Sequence, residues 1–269
     1  MSNQLSNATY VNWHRLHKDI PRFCDKLPDD TIGLIGIPRS GIMVASLMGL
    51  HMNLPVGDVE SFVRIGSLWS VGRRFHDQES LPDRGTYVLV DDSLNTGKSM
   101  QEYRDMAADT MPQGNRLCTA AMYVTAANCG QVDYWGEQVP MPRAFAWNWH
   151  AKRASQHWML DIDETIAALP GSPFRPLFPF GWVISVNDAV STTSLMAQHG
   201  IQVKQTVIAL NADSSQVIEQ KARMYQRLDD AHLFITGTSQ DAAVVANISG
   251  KPALSMSNDV LLQPNRIVF

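Results

Sequence analysis

Apolar residues along this chain follow two periods that take turns. Tyr10, Trp13, Leu16, Ile20 and Phe23 recur every three or four positions, which predicts an amphipathic helix covering one face of a sheet. After the turn Leu27-Pro28-Asp29-Asp30, residues 31–36 are a short apolar run that predicts a strand, and 42–51 predict a helix. Another extended piece begins at Leu54-Pro55-Val56. Residues 87–90 then read as the central strand of a parallel sheet, a helix runs to about 110, and 115–125 is again strand-like. The alternation resumes at 157. Strands are predicted at 157–160, 182–186, 206–210, 233–236 and 252–256, with helices at 192–199, 216–228 and 240–247. Gly200, Gly237 and Gly250 stand where helix ends or strand-to-helix turns need them. Strands and helices in alternation predict the α/β fold class.

Two segments break the rhythm. Residues 60–84 are polar and hold Arg64, Trp69, Arg73, Arg74 and His76, which suits either a lid whose cations close over a polyanion or a solvated hairpin with ordinary surface arginines. Residues 132–150 are aromatic, with Tyr134, Trp135, Phe145, Trp147 and Trp149. Such a cluster forms either a wall for a flat base or, more commonly, an interface core. Lys152-Arg153 separates this segment from the fresh strand pattern, so two domains are expected, 1–154 and 155–269.

Composition narrows the class without naming a partner. The chain has 269 residues, 45% of them hydrophobic and 18% charged, and a net charge of −4. That balance suits a soluble globular protein and leaves no general basic surface for nucleic acid. Cys24, Cys118 and Cys129 lack metal-ligand spacing and are odd in number, so reduced thiols and a cytoplasmic setting are expected. No signal-like N-terminus and no run of membrane-spanning length is seen, so no membrane association is expected, and a homodimer stays open.

The richest candidate chemistry lies at 86–100, Thr-Tyr-Val-Leu-Val-Asp-Asp-Ser-Leu-Asn-Thr-Gly-Lys-Ser-Met. An apolar strand runs into two carboxylates and then into a small-residue turn that opens a helix. Such a turn offers backbone N–H groups and a positive helix end to a phosphate, while Asp91 and Asp92 accept from hydroxyls. Gly97-Lys98-Ser99 also looks like the end of a nucleoside-triphosphate loop, but that motif needs Gly where Asp92 stands. Helix capping by one Asp accounts for neither the pair nor the Thr-Gly-Lys-Ser run. Upstream, Gly36-Ile37-Pro38-Arg39-Ser40-Gly41 sets an arginine between glycines, either a surface turn or a close approach to an anion gripped by the guanidinium.

On these residues the chain resembles type I phosphoribosyltransferases over about residues 8–150. Residues 88–99 resemble their signature for phosphoribosyl pyrophosphate (PRPP), and 35–41 look like their pyrophosphate loop. The resemblance implies that Asp91 and Asp92 serve catalysis through the ribose hydroxyls, with Ser93, Leu94, Asn95, Thr96, Gly97, Lys98 and Ser99 around the 5′-phosphate. Ile37, Pro38, Arg39, Ser40 and Gly41 would take the pyrophosphate. It also implies Mg²⁺ held mainly by the donor, with Asp91 and Asp92 as candidate ligands, and a nucleobase-like acceptor; Arg64, Arg73 and Arg74 are candidate lid cations.

The second half is similar to haloacid dehalogenase-like (HAD) phosphatases, which implies a three-layer Rossmann-like domain. Asp161 and Asp163 match the first motif and would be candidate Mg²⁺ ligands, Ser185 fits the second and Lys221 the third. The fourth motif fails, since Thr236-Gly237-Thr238-Ser239-Gln240-Asp241 lacks the expected metal-binding acid. Three functions follow as expectations. The leading one is Mg²⁺-dependent phosphoribosyl transfer to a base. The others are a non-enzymatic PRPP or nucleotide sensor with an inactive HAD-like half, and phosphatase activity in that half.

Overall fold

The computed structural model describes residues 8–66, 68, 84–148, 155–168, 176, 178–210 and 216–264. They belong to two compact units, one of residues 14–141 and one of residues 1–13 together with 142–269.

The chain opens with β1 (Thr9–Val11) and α1 (Trp13–Cys24), whose Leu16, Ile20 and Phe23 are buried as the helical spacing requires. Then follow β2 (Thr31–Gly36), α2 (Ser40–Met52), β3 (Val56–Asp58), α3 (Val59–Ile65), β4 (Thr86–Ser93), α4 (Lys98–Thr110), β5 (Arg116–Val124) and β6 (Tyr134–Gln138). The sheet order is β3-β2-β4-β5-β6, and every pairing is parallel. Val88, Leu89 and Val90 of β4 are fully buried, as expected for a central strand covered on both faces. From β2 the chain moves outward to β3, then returns to the other side of β2 as β4. The order therefore reverses between β2 and β4, where the carboxyl ends of open α/β sheets leave a crevice.

The second unit contains β7 (Arg143–Phe145), β8 (Trp158–Asp161), α5 (Ile162–Ala167), β9 (Phe180–Ser185), α6 (Ala189–His199), β10 (Val203–Ala209), α7 (Val217–Arg227), β11 (Leu233–Thr236), α8 (Ser239–Ser249), β12 (Ala253–Ser255) and β13 (Val260–Leu262). Its sheet runs β10-β9-β8-β11-β12-β13, parallel except for the β12–β13 pairing. Alternate residues serve two cores: Trp158, Leu160 and Val183 pack in one, Met159, Trp182 and Ile184 in the other. The order reverses here too, between β8 and β11.

The division differs from the expected boundary near residue 155. β1 pairs with β7, and Tyr10, Ala144 and Trp147 pack on the core containing Trp158 and Leu160. Residues 8–13 and 142–148 therefore belong to the second unit, and residues 14–141 are inserted between them in sequence. The opening of the polar segment is helix α3, started by Asp58, whose carboxylate accepts from the Ser61 amide. The aromatic residues of 132–148 divide between the two units. Trp135 is partly buried in the first unit, with the Lys26 ammonium 4.9 Å from its ring centre, whereas Phe145 and Trp147 stack in the second.

Candidate active site

Because β2 and β4 are parallel neighbours, the loops that follow them leave from one edge of the sheet. Gly36 pairs with Val90, and the next amide, Ile37 N–H, donates to the Val90 carbonyl at 2.9 Å. Ile37 is buried and fixes the start of the loop; Pro38, Arg39 and Ser40 carry it into α2, with a cis peptide between Pro38 and Arg39. A Cβ on Gly41 would lie 2.5 Å from the Val90 oxygen and 3.0 Å from the Asp91 Cα. Both are backbone atoms, so only glycine lets the first turn of α2 come this close to the carboxylate strand. The structure thus brings together the 37–41 and 91–99 segments that the sequence reading paired.

Asp91 and Asp92 fall inside the end of β4 rather than in the loop. Asp92 is buried and Asp91 half-buried, and the Asp92 amide donates to Asp91 Oδ1 at 2.8 Å. Burial and then the adjacent Asp92 charge push the Asp91 carboxyl up to about 8. The free pair therefore keeps a proton near neutrality and favours any cation that joins it. Leu94, 2% exposed, plugs the loop into the core beside Leu89 and Met100. Asn95, Thr96, Lys98 and Ser99 are exposed. Gly97 takes φ 77° at the start of α4, and Lys98 reaches Glu102 at 3.7 Å across the solvated face. An open cleft of about 400 Å³ borders the loop, lined by Thr96, Gly97, Lys98, Gln101, Arg104 and Gln131 among others. Of the candidate lid cations, Arg64 is exposed in the last turn of α3, and Arg73 and Arg74 lie outside the described residues.

One residue of this site went unread in the sequence. Asn128 is 5% exposed, donates from Nδ2 to the Leu94 and Asn95 carbonyls at 2.8 and 2.9 Å, and accepts the Thr125 amide on Oδ1 at 2.7 Å. Its only sequence signal is an Asn in a turn after a strand.

The second unit holds a separate cluster at its own reversal point. Lys221, 1% exposed, donates from Nζ to Asp161 Oδ1 at 2.7 Å and lies 3.6 Å from Asp163 Oδ2. Asp161 is fully buried, and its Oδ2 accepts the Thr236 hydroxyl at 3.4 Å. Burial raises its carboxyl to about 6 despite the adjacent ammonium. Asp163 accepts the Ser185 hydroxyl, the Val186 amide and the Asn187 side-chain amide at 2.8–2.9 Å. All four residues named from the sequence meet here. Asn187 and Thr236 were not foreseen as partners, being ordinary polar residues at strand ends.

No family model matches the chain, and no curated protein matches it. Among solved structures it is similar to a Helicobacter pylori xanthine-guanine-hypoxanthine phosphoribosyltransferase, at 14% identity over 53% of this chain and 93% of that one, with a TM-score of 0.38. A purine phosphoribosyltransferase from Pyrococcus horikoshii gives 18% identity over 53% and 94%, TM-score 0.39. An orotate phosphoribosyltransferase from Aeropyrum pernix gives 16% over 44% and 61%, TM-score 0.32. Likenesses at these scores assign neither a family nor an activity.

Proposed function

We propose that the first unit is a Mg²⁺-dependent phosphoribosyltransferase that moves ribose 5-phosphate from PRPP to a nitrogen of a nucleobase-like acceptor and releases pyrophosphate. The observation that carries this reading is the apposition of the 37–41 turn and the Asp91–Asp92 strand end across one pair of parallel strands. A diphosphate and a phosphosugar joined at one carbon need two anion-accepting loops on neighbouring strands, with hydroxyl acceptors beside them. Asp91 and Asp92 would take the ribose hydroxyls, the 93–99 loop the 5′-phosphate, and Arg39 with its neighbouring backbone the pyrophosphate.

The donor set suits a hard cation. Mg²⁺ is commonly held by one or two carboxylates plus substrate oxygens, and Asp91 and Asp92 are two carboxylates whose mutual repulsion a cation relieves. When bound, Mg²⁺ would neutralise charge on the departing pyrophosphate. The chain's own part is electrostatic. Displacement at the anomeric carbon builds positive charge there, and the Asp91–Asp92 pair, once deprotonated, stabilises it. Arg39 would hold the leaving group and limit its return.

We assign the second unit a HAD-like role without metal-dependent hydrolysis. Its residues do not fit Mg²⁺: Lys221 and Thr236 engage Asp161, three donors engage Asp163, and Asp241 is turned to the Thr238 hydroxyl at 2.7 Å. Among the described residues, no cluster of three or more His, Cys, Asp or Glu groups suits a metal.

Pyrophosphate release, measured with Mg²⁺ and PRPP across a panel of purine and pyrimidine bases, tests the transfer. A base-dependent signal that Asp91→Asn/Asp92→Asn abolishes is expected. Tight PRPP binding with no release for any base would replace the enzyme with the sensor reading.

A further inference from the structure

We infer that Asn128 is a positioning residue that turns the 93–97 loop into an anion receptor, and this rests on the phosphate-binding role proposed for that loop. The argument is peptide geometry. In a trans peptide the carbonyl and the following N–H point in opposite directions. Among the described residues the only cis bond is Pro38–Arg39, so the 94–95 and 95–96 peptides are trans. Asn128 Nδ2 draws the Leu94 carbonyl at 2.8 Å and the Asn95 carbonyl at 2.9 Å toward the buried side of the loop. The Asn95 and Thr96 N–H groups must then point the other way. Neither amide donates to any described residue, although Leu94 N–H just before them donates to the Tyr123 carbonyl at 2.9 Å, and Lys98 N–H, two positions after them, reaches Thr96 Oγ1 at 3.5 Å.

Two consecutive amides directed to one side form the concave donor set that phosphate oxygens accept from. Without a donor beneath them, the two carbonyls would be free to rotate upward and present negative partial charge to the phosphate instead. Asn is suited to the task because one side chain carries both polarities. Its Oδ1 closes the turn after β5 by accepting the Thr125 amide at 2.7 Å, which leaves Nδ2, with its two hydrogens, for the two carbonyls. The anchor is as firm as the strand behind it, since Val124 is fully buried and the turn is closed again by Asn128 N–H on the Thr125 carbonyl at 3.1 Å.

The two halves of the side chain can be separated experimentally. Asn128→Asp keeps the shape and the acceptor for Thr125 while removing both loop donors. Binding of ribose 5-phosphate, which probes the 93–97 loop, and of Mg²⁺ with inorganic pyrophosphate, which probes the 37–41 loop, is measured by calorimetry on the full chain. At least a tenfold weakening for ribose 5-phosphate, with pyrophosphate within twofold of wild type, is expected. Asn128→Ser, neutral and smaller, carries the same test if the buried carboxylate prevents folding. Equal loss of both ligands, loss of neither, or failure of both variants to fold would make Asn128 a purely structural residue and overturn the inference. A wild type that binds neither ligand would instead overturn the proposed site, and the inference with it.

Discussion

Lys221→Met measures how strongly the second unit depends on one buried charge pair. The ammonium and Asp161 are 2.7 Å apart and at most 1% exposed, so water cannot replace either partner when the other is removed. Breaking such a pair on one side costs about 3–5 kcal/mol, because the surviving charge stays desolvated. At tenfold per 1.4 kcal/mol, amides in β8 and β11 that exchange by opening of this sheet should exchange roughly two to almost four orders of magnitude faster. Hydrogen exchange read by mass spectrometry over those strands is the assay. The deficit should also depend on pH. Asp161 already sits at about 6 with the ammonium present, and losing it moves the carboxyl further up. A group raised in the folded state stabilises fully below its unfolded value near 3.8 and loses that contribution as pH rises through the folded value. The variant should therefore be closest to wild type near pH 5 and furthest near pH 8, once intrinsic exchange rates are corrected. Asp161→Asn/Lys221→Met removes the orphaned charge, retains an acceptor for Thr236, and should recover most of the loss. An acceleration under about fivefold for Lys221→Met, roughly 1 kcal/mol, would refute the idea that Asp161 is held as a buried anion by Lys221.

Three further outcomes are expected. Binding of Mg²⁺ with PRPP should release a proton and tighten as pH rises toward about 8, because the free Asp91–Asp92 pair holds a proton that the cation displaces; calorimetry in buffers of different ionisation enthalpy detects it, and a binding constant flat from pH 6 to 8 would contradict it. Gly41→Ala places a methyl 2.5 Å from the Val90 carbonyl, forcing α2 away from β4, so pyrophosphate binding should weaken by at least about tenfold, with the dissociation constant as readout. Arg116→Ala, by contrast, removes a bidentate contact to Asp30 that lies in solvent, and the thermal midpoint should stay within measurement scatter despite the short 2.8–2.9 Å bonds.

Local rules made the α/β alternation and both candidate sites readable. β2 and β11 match their expected bounds, and most other strands and helices differ from theirs by one to four residues, because apolar runs and periodic faces report burial directly. The Asp-Asp and Thr-Gly run was legible because its chemistry is consecutive in sequence. What stayed hidden is non-local. β1 is three residues whose tyrosine also fits the helical spacing of α1, and only its partner β7, more than 130 positions on, makes it a strand. Asn128 is 33 and 34 positions from the carbonyls it holds, so nothing near it marks the role.

The same non-locality explains why the boundary expected near residue 155 differs from the division in the structure. Composition shifts at Lys152-Arg153, and a strand does begin at Trp158, but a compact unit is defined by what its core excludes from water rather than by where a pattern restarts. Here that core takes in Ala146 and packs Tyr10, Ala144 and Trp147 against it, while Tyr10 Oη donates to Asp259 and the Asn12 side-chain amide donates to the Asp259 carbonyl at 3.1 Å. A fragment beginning at residue 155 would lack β1 and β7, uncover part of that core and leave Asp259, at φ 50°, without these two partners. Cutting instead at Trp13–His14 and Met141–Pro142 leaves the five-stranded sheet whole, with both loops of the proposed PRPP site on it. Residues 14–141 therefore carry the whole of the proposed donor site, and the second unit depends on both ends of the chain to complete its own fold.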